Sequence, residues 1–272
     1  NFMGVFLGAA GELDKAEEFY LKSLQIDKNS SGTWSNLATV QFNKKLYQQS
    51  KNSCDNALQI DPNNPKALTN LGNAFLKLNE EDEALNAFQK ALRIEPSSFE
   101  TLINLSNLYQ KSKNYKKAII ILKSALELKK TDKLYYNLAS AYRDIGQFNL
   151  SIESYLKSLV INNSNRKSLT NLIELLIQLD LFDKFDTTLF DKILEYNQDS
   201  SSQALYLTFK IINSYIKNDH TNIHESISKL ETIINSEKFS QIKEAQDKKF
   251  ISVLGGKIDT VVEAGNKIKE II

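Results

Sequence analysis

The segment Trp34-Ser35-Asn36-Leu37-Ala38 returns as Leu68-Thr69-Asn70-Leu71-Gly72, Leu102-Ile103-Asn104-Leu105-Ser106, Tyr135-Tyr136-Asn137-Leu138-Ala139 and Leu169-Thr170-Asn171-Leu172-Ile173. Its asparagines lie 34, 34, 33 and 34 residues apart. A fixed period of that size belongs to chains whose units cannot bury an apolar face alone and stack on their neighbours instead. Stacking produces an extended surface rather than a closed pocket, and such a surface suits another polypeptide.

Within the unit that holds Asn70, residues Leu68, Leu71 and Phe75 follow a spacing of three and four, which makes one apolar stripe of a first helix. After Asn79-Glu80-Glu81, a second stripe of Ala84, Phe88, Ala91 and Leu92 marks a second helix, which Ile94-Glu95-Pro96 stops because proline cannot continue the turn. The unit is helix-turn-helix. Small residues recur at the site of Ala84, namely Ala16, Ser50, Ala118 and Ser151, and Gly4, Ala38, Gly72, Ser106 and Ala139 share one site on the first helix. A large side chain at either would hold the helices apart.

This pattern resembles the tetratricopeptide repeat: a bulky residue then Asn-Leu-Gly/Ala on the first helix, a small residue and an aromatic four later on the second, then Ala-Leu and a closing proline. The resemblance covers about 1–197, with a partial unit at 1–30, good units at 31–64, 65–98, 99–131 and 132–165, and a degraded unit at 166–197. It implies an all-α, right-handed superhelical solenoid. The unit at 99–131 is one residue short in its exit loop, Lys129-Lys130-Thr131-Asp132, and lacks the closing proline. The degraded unit carries Ile173 and Phe185 where the pattern wants small residues, which predicts a changed packing angle. Beyond Asp199 the register is lost, yet apolar stripes persist, as in Leu205, Phe209, Ile212 and Ile216, then Ile223, Ile227, Leu230 and Ile234, and a last segment from Ser240 broken at Gly255-Gly256. The segment 198–272 is expected to be a divergent helical cap or linker. Because residue 1 is Asn and the first unit starts partway through its first helix, the sequence reads as a portion of a longer chain.

Composition names no ligand. Lys+Arg 34 against Asp+Glu 33 leaves a net charge of +1, which gives no basic footprint for nucleic acid. A lone cysteine, Cys54, excludes an internal disulfide framework and fits a reducing compartment, so a cytoplasmic location is expected. The apolar opening Phe2-Met3-Gly4-Val5-Phe6-Leu7-Gly8-Ala9-Ala10 has no Lys or Arg before it, and the repeat register accounts for it better than a signal peptide does. No run reaches the ~18 apolar residues of a membrane span. The sequons at Asn29, Asn104, Asn149 and Asn162 are what an asparagine-rich sequence supplies by chance.

On the first helix, Asn70, Asn73 and Lys77 repeat the spacing of the apolar stripe but are displaced by about 200° of rotation, so they are expected to point away from the core. Stacked units would align Asn36, Thr39 and Asn43 with these, then Asn104, Asn107 and Lys111, then Asn137, Ser140 and Asp144, then Asn171, Glu174 and Gln178. An amide carries both donor and acceptor, so a ladder of asparagines can pair with successive backbone amides of an extended peptide while ignoring its side chains. The candidate peptide-binding residues are therefore Asn36, Asn70, Asn73, Lys77, Asn104, Asn107, Lys111, Asn137 and Asn171. The family resemblance places this face on the concave side, and the ladder looks like that in the repeats of O-linked N-acetylglucosamine transferases. The alternative is that the same amides only satisfy neighbouring groups within the array. The family's clamp for chaperone C-terminal carboxylates wants Lys and Arg, whereas Ser35, Thr69, Ile103, Tyr136 and Thr170 precede the ladder asparagines, which disfavours a chaperone-tail receptor.

No catalytic or metal constellation emerges. His220 and His224 have a one-turn spacing, but Thr221 stands where a zinc-protease motif has glutamate. Cys54 falls on the second-helix core site shared with Tyr20, Phe88, Leu122 and Tyr155, which predicts an inert thiol. Tyr115, Tyr135, Tyr136 and Tyr142 near Lys116, Lys117 and Arg143 suggest base stacking only superficially, because Tyr135 and Tyr142 are assigned to the core. The expectation is a protein-interaction scaffold with no cofactor, no metal and no catalytic site, taking a protein or peptide partner. A competing reading makes it the recruiting portion of a larger, glycosyltransferase-like enzyme. A third has it self-associate through the divergent helices.

Overall fold

The computed structural model describes residues 2–162 and 165–179, with isolated positions at 207, 228, 229 and 232. The second half of the degraded unit with Phe185, the histidines 220 and 224, and the divergent segment 198–272, isolated positions aside, lie outside the described residues. Helices alternate as the stripes require. They are α1 (Phe2–Ala9) and α2 (Leu13–Ile26), α3 (Ser31–Asn43) and α4 (Tyr47–Ile60), α5 (Pro65–Lys77) and α6 (Glu81–Ile94), α7 (Phe99–Lys111) and α8 (Tyr115–Leu128), α9 (Asp132–Asp144) and α10 (Phe148–Ile161), then α11 (Arg166–Gln178). No strand occurs among the described residues, and the fold is an all-α helical repeat solenoid. Two compact units divide the chain, Asn1–Lys130 and Thr131–Ile272, and the division falls in the exit loop that is one residue short.

Four of the first helices, α3, α5, α9 and α11, are started by a polar side chain, whereas Ser98 before α7 bonds the Thr101 hydroxyl instead of a backbone amide. The side chains of Ser30, Asn64 and Thr131 accept hydrogen bonds from the backbone N–H of Thr33, Ala67 and Leu134, and Asn165 Oδ1 accepts from Ser168 N at 3.1 Å. These bonds satisfy amides that the first helical turn leaves unpaired. Pro65, at the first position of α5, gives up no helical hydrogen bond there.

The turn inside each unit has one geometry. Gly11, Lys45, Asn79, Lys113 and Gly146 all take positive φ, between 57° and 81°. Each is followed by a residue whose N–H reaches back across the turn: Glu12 to Leu7, Leu46 to Gln41, Glu80 to Phe75, Asn114 to Tyr109 and Gln147 to Tyr142, at 2.7–2.9 Å. Together with bonds such as Lys45 N to Phe42 O at 2.9 Å, this is a Schellman closure repeated along the chain. Lysine is strained in that conformation and glycine is not. Replacing Lys45 or Lys113 by Gly should therefore raise stability by roughly 0.5–1 kcal/mol each, the relief of left-handed strain less glycine's entropy cost. Thermal melts of the two variants check this, and an unchanged or lowered midpoint in both would contradict it.

The core follows the two stripes. Leu68 and Leu71 of α5 and Ala84, Phe88 and Ala91 of α6 are buried. Every small residue at the second-helix site, Ala16, Ser50, Ala84, Ala118 and Ser151, is fully buried. Serine is tolerated because Ser50 Oγ donates to Ala38 O and Ser151 Oγ to Ala139 O, both at 2.8 Å, so the hydroxyl meets the facing first helix. On the first helix, a Cβ added at Gly72 would lie 2.5 Å from Phe88 Cε1, and one at Gly4 would lie 2.7 Å from Tyr20 Cε1. Glycine here makes room for an aromatic ring. In α11, Leu169, Leu172, Leu175 and Leu176 are buried along with Ile173, the large residue at the small-residue site.

Candidate functional site

Within the first unit the ladder asparagines lie between neighbouring first helices. Asn70 Nδ2 on α5 donates to Ser35 O at 3.0 Å and to Thr39 Oγ1 at 2.9 Å, both on α3. The backbone carbonyl fixes which end of the amide is nitrogen, since only N–H can donate to it. Asn70 is only 8% exposed, so the expectation that it points away from the packed interior is corrected. The reason is geometric: opposite the intra-unit core lies the adjacent first helix, and a short amide there reaches its backbone.

One unit further on, Glu100 and Asn104 of α7 hold Asn73 of α5 from both ends. Asn73 Nδ2 donates to Glu100 Oε1 at 3.4 Å, and Asn73 Oδ1 accepts from Asn104 Nδ2 at 2.7 Å. Asn36 Oδ1 accepts from Lys66 Nζ at 2.6 Å on the exposed rim. Lys111 Nζ pairs with Glu81 at 2.6 Å, and Lys77 and Asn107 are exposed. The nitrogen ends of Asn70 and Asn104 are thus committed to the neighbouring helix. Their carbonyl oxygens accept nothing among the described residues, yet neither is enclosed.

The second unit builds its version from different residues. Asn171 Nδ2 on α11 donates to the hydroxyls of Tyr136 and Tyr155, each at 3.3 Å. Tyr155 is fully buried, but its hydroxyl meets Ser140 Oγ at 3.2 Å, and its ring lies 6.0 Å from that of Tyr136. Burial pushes the Tyr155 phenol above its ordinary value, while Ser140, the Arg143 guanidinium and Asn171 oppose the rise. The hydroxyl stays protonated. Asn137 is half-buried on the same face. Sequence reading missed the role of Tyr155. The available signal was a tyrosine at a core site occupied elsewhere by Phe88 and Leu122, one turn's reach from a polar first helix.

Cys54 is fully buried, and burial drives its thiol far above the ordinary range, with Asp55 adding to the rise, so it is neutral and unreactive. Among the described residues no group of three or more His, Cys, Asp or Glu side chains could hold a metal ion, and no helix is long and apolar enough to cross a membrane. Among the described residues, what the face offers chemically is a set of hydrogen-bonding groups.

Models of the tetratricopeptide repeat match residues 1–30, 31–64, 65–98, 99–132 and 132–165. No curated protein matches. Among solved structures, the chain is similar to YrrB, a TPR protein with an unusual peptide-binding site, at 20% identity over 62% of this chain and 87% of that one, with a TM-score of 0.53. MamA from Desulfovibrio magneticus shares 21% identity over 61% of this chain and 93% of its own, with a TM-score of 0.54. The C-terminal part of a TPR repeat-containing protein from Cytophaga hutchinsonii aligns over 92% of this chain and 97% of its own, at 13% identity and a TM-score of 0.68. At these identities the likeness concerns the fold.

Proposed function

This chain belongs to the tetratricopeptide repeat family, and on that premise we propose that its first-helix face binds an extended segment of a partner protein by its backbone. The observation that carries the reading is the division of labour within the ladder amides. The nitrogen ends of Asn70 and Asn104 brace adjacent helices, while their oxygens remain open as acceptors. An extended peptide offers an outward N–H at every second residue, so fixed carbonyl oxygens can grip it without reading side chains. Bracing pre-organises the acceptors, which lowers the entropy lost on binding. In this reading the ladder has both of the roles that the sequence left as alternatives, and the chain acts as a scaffold without catalysis of its own.

Affinity capture followed by peptide mapping supplies a bound segment, which is then titrated in synthetic form against variants. Asn104→Ala should weaken binding by about five- to ten-fold, the worth of one hydrogen bond. Asn70→Ala should weaken it similarly and also cost about 1–2 kcal/mol of stability, because two inter-helix bonds disappear. Methylating the backbone nitrogens of the peptide at alternate positions should abolish binding, whereas changing its side chains should not. Binding that is indifferent to both asparagines and to backbone methylation would leave them as braces only and overturn the reading.

A further inference from the structure

The near balance of charge over the whole chain hides a segregation within its first unit. Residues 101–130 hold seven lysines against one acid, Glu127, whereas residues 1–100 hold thirteen acids against ten bases. The excess gathers on α8 and the loops at its two ends. Ala118, Ile119, Leu122 and Ala125 turn one side of this helix to the core, while Lys113, Lys116, Ile120 and Lys123, spaced by three and four, stand exposed on the other. Lys129 and Lys130 continue the exposed charge past the end of the helix. Lys113, Lys116, Lys129 and Lys130 make no ion pair with a described residue.

The fold does not ask for this charge. At the equivalent sites α6 has Asn79, Asp82, Asn86 and Gln89. The first turn of α6 carries Glu81, Asp82 and Glu83, which suit the positive end of the helix dipole, whereas that of α8 has no acid and carries Lys116 and Lys117, which oppose it. Ile120, 63% exposed, and Leu128, 47% exposed, add aliphatic surface among the lysines.

We propose that this outward face of α8 docks on an anionic membrane surface, with its lysines among the charged head groups and Ile120 at the acyl boundary. Clusters of roughly four to eight lysines on an amphipathic helix are drawn to such a surface, because every charge feels the continuous field of the bilayer. A single outward helix face has no groove to enclose an acidic peptide, and open ion pairs contribute little. Nucleic acid is disfavoured because the row holds lysine without arginine and no exposed ring to stack on, Tyr115 being half-buried. As α8 is a second helix, this surface is separate from the first-helix ladder and goes beyond the peptide-binding reading.

The full chain is tested by co-sedimentation with vesicles of about three parts phosphatidylserine to seven of phosphatidylcholine, and with vesicles of phosphatidylcholine alone. It should bind the first and not the second at about 0.1 M salt, and release at about 0.5 M, where screening shortens the reach of the charges. Changing Lys113, Lys116 and Lys130 together to Gln should weaken binding by about 100-fold, roughly five-fold for each lysine. That variant should melt no lower than the parent, so the loss of binding is not a loss of fold. Ile120→Ser, which leaves the charge unchanged, should weaken binding several-fold, and changing Lys15, Lys22 and Lys28 together to Gln on α2 should leave it within two-fold of the parent. Failure to bind anionic vesicles, equal binding to neutral ones, or binding that survives the loss of Lys113, Lys116 and Lys130 would overturn the inference. So would polyglutamate or a DNA duplex that displaces the chain from vesicles at equal charge concentration.

Discussion

Replacing Phe88 by Ala is expected to lower stability by about 3–5 kcal/mol, the largest effect of any single substitution considered for this chain. Phe88 is fully buried, with a relative exposure of 0%, and it packs with Ala84, Leu105, Leu108, Tyr109 and Ala118. Its ring also fills the space opened by Gly72, so the two positions should behave as a pair. Gly72→Ala alone sets a Cβ 2.5 Å from the ring and should cost about 1–2 kcal/mol, overpacking offset in part by alanine's better helix propensity. Combining Gly72→Ala with Phe88→Leu should cost less than the sum of the single changes by about 1 kcal/mol, since neighbours in contact are coupled. The sequence already contains the smaller pairings at equivalent sites, Ala38 with Cys54 and Ser106 with Leu122, all four buried. Denaturant titrations of the three variants measure the coupling, and strict additivity would mean that the ring and the glycine do not share the space.

The repeat and its two apolar stripes were legible because burial in a stacked hairpin imposes a strict spacing on large and small residues. Leu71, Ala84 and Phe88 are where that spacing puts them. The turn was harder to read. Positive φ recurs at Lys45, Asn79 and Lys113, where side chains conceal a conformation that Gly11 and Gly146 would have announced. The ladder was half legible. Helical rotation separates Asn70 from the stripe of Leu68 and Leu71, but it does not say that a second first helix stands on that side. The burial of Asn70 and its bonds to Ser35 and Thr39 depend on partners 35 and 31 residues away. The tyrosine cluster was illegible for a related reason: a residue of α10 sends its hydroxyl between α9 and α11, and no periodicity along one helix encodes a meeting of three.

Ala84→Leu and Ala118→Leu should each destabilise the chain by roughly 1–3 kcal/mol. Both alanines have 0% exposure and belong to a single buried cluster with Phe88, Leu105, Leu108 and Tyr109. Leucine adds three carbons where the second helix presses on its neighbours, and a close-packed interior answers added volume with off-rotamer side chains or a shift of the helix. The neighbouring sites support the same limit, since the equivalent residues are Ala16, Ser50 and Ser151, and the two serines hold the spacing with hydroxyls bonded to the facing carbonyl. Ala84→Ser should therefore be mild, because the hydroxyl fits the same space and finds an acceptor in the first helix as Ser50 does. Leucine and serine thus make opposite demands of one site, which separates tight packing from a general intolerance of substitution. Denaturant titration of Ala84→Leu, Ala118→Leu and Ala84→Ser distinguishes them. Neutral leucine variants would mean that the helices are not in closest approach there, and a serine variant as damaging as leucine would mean that polarity, not volume, sets the residue.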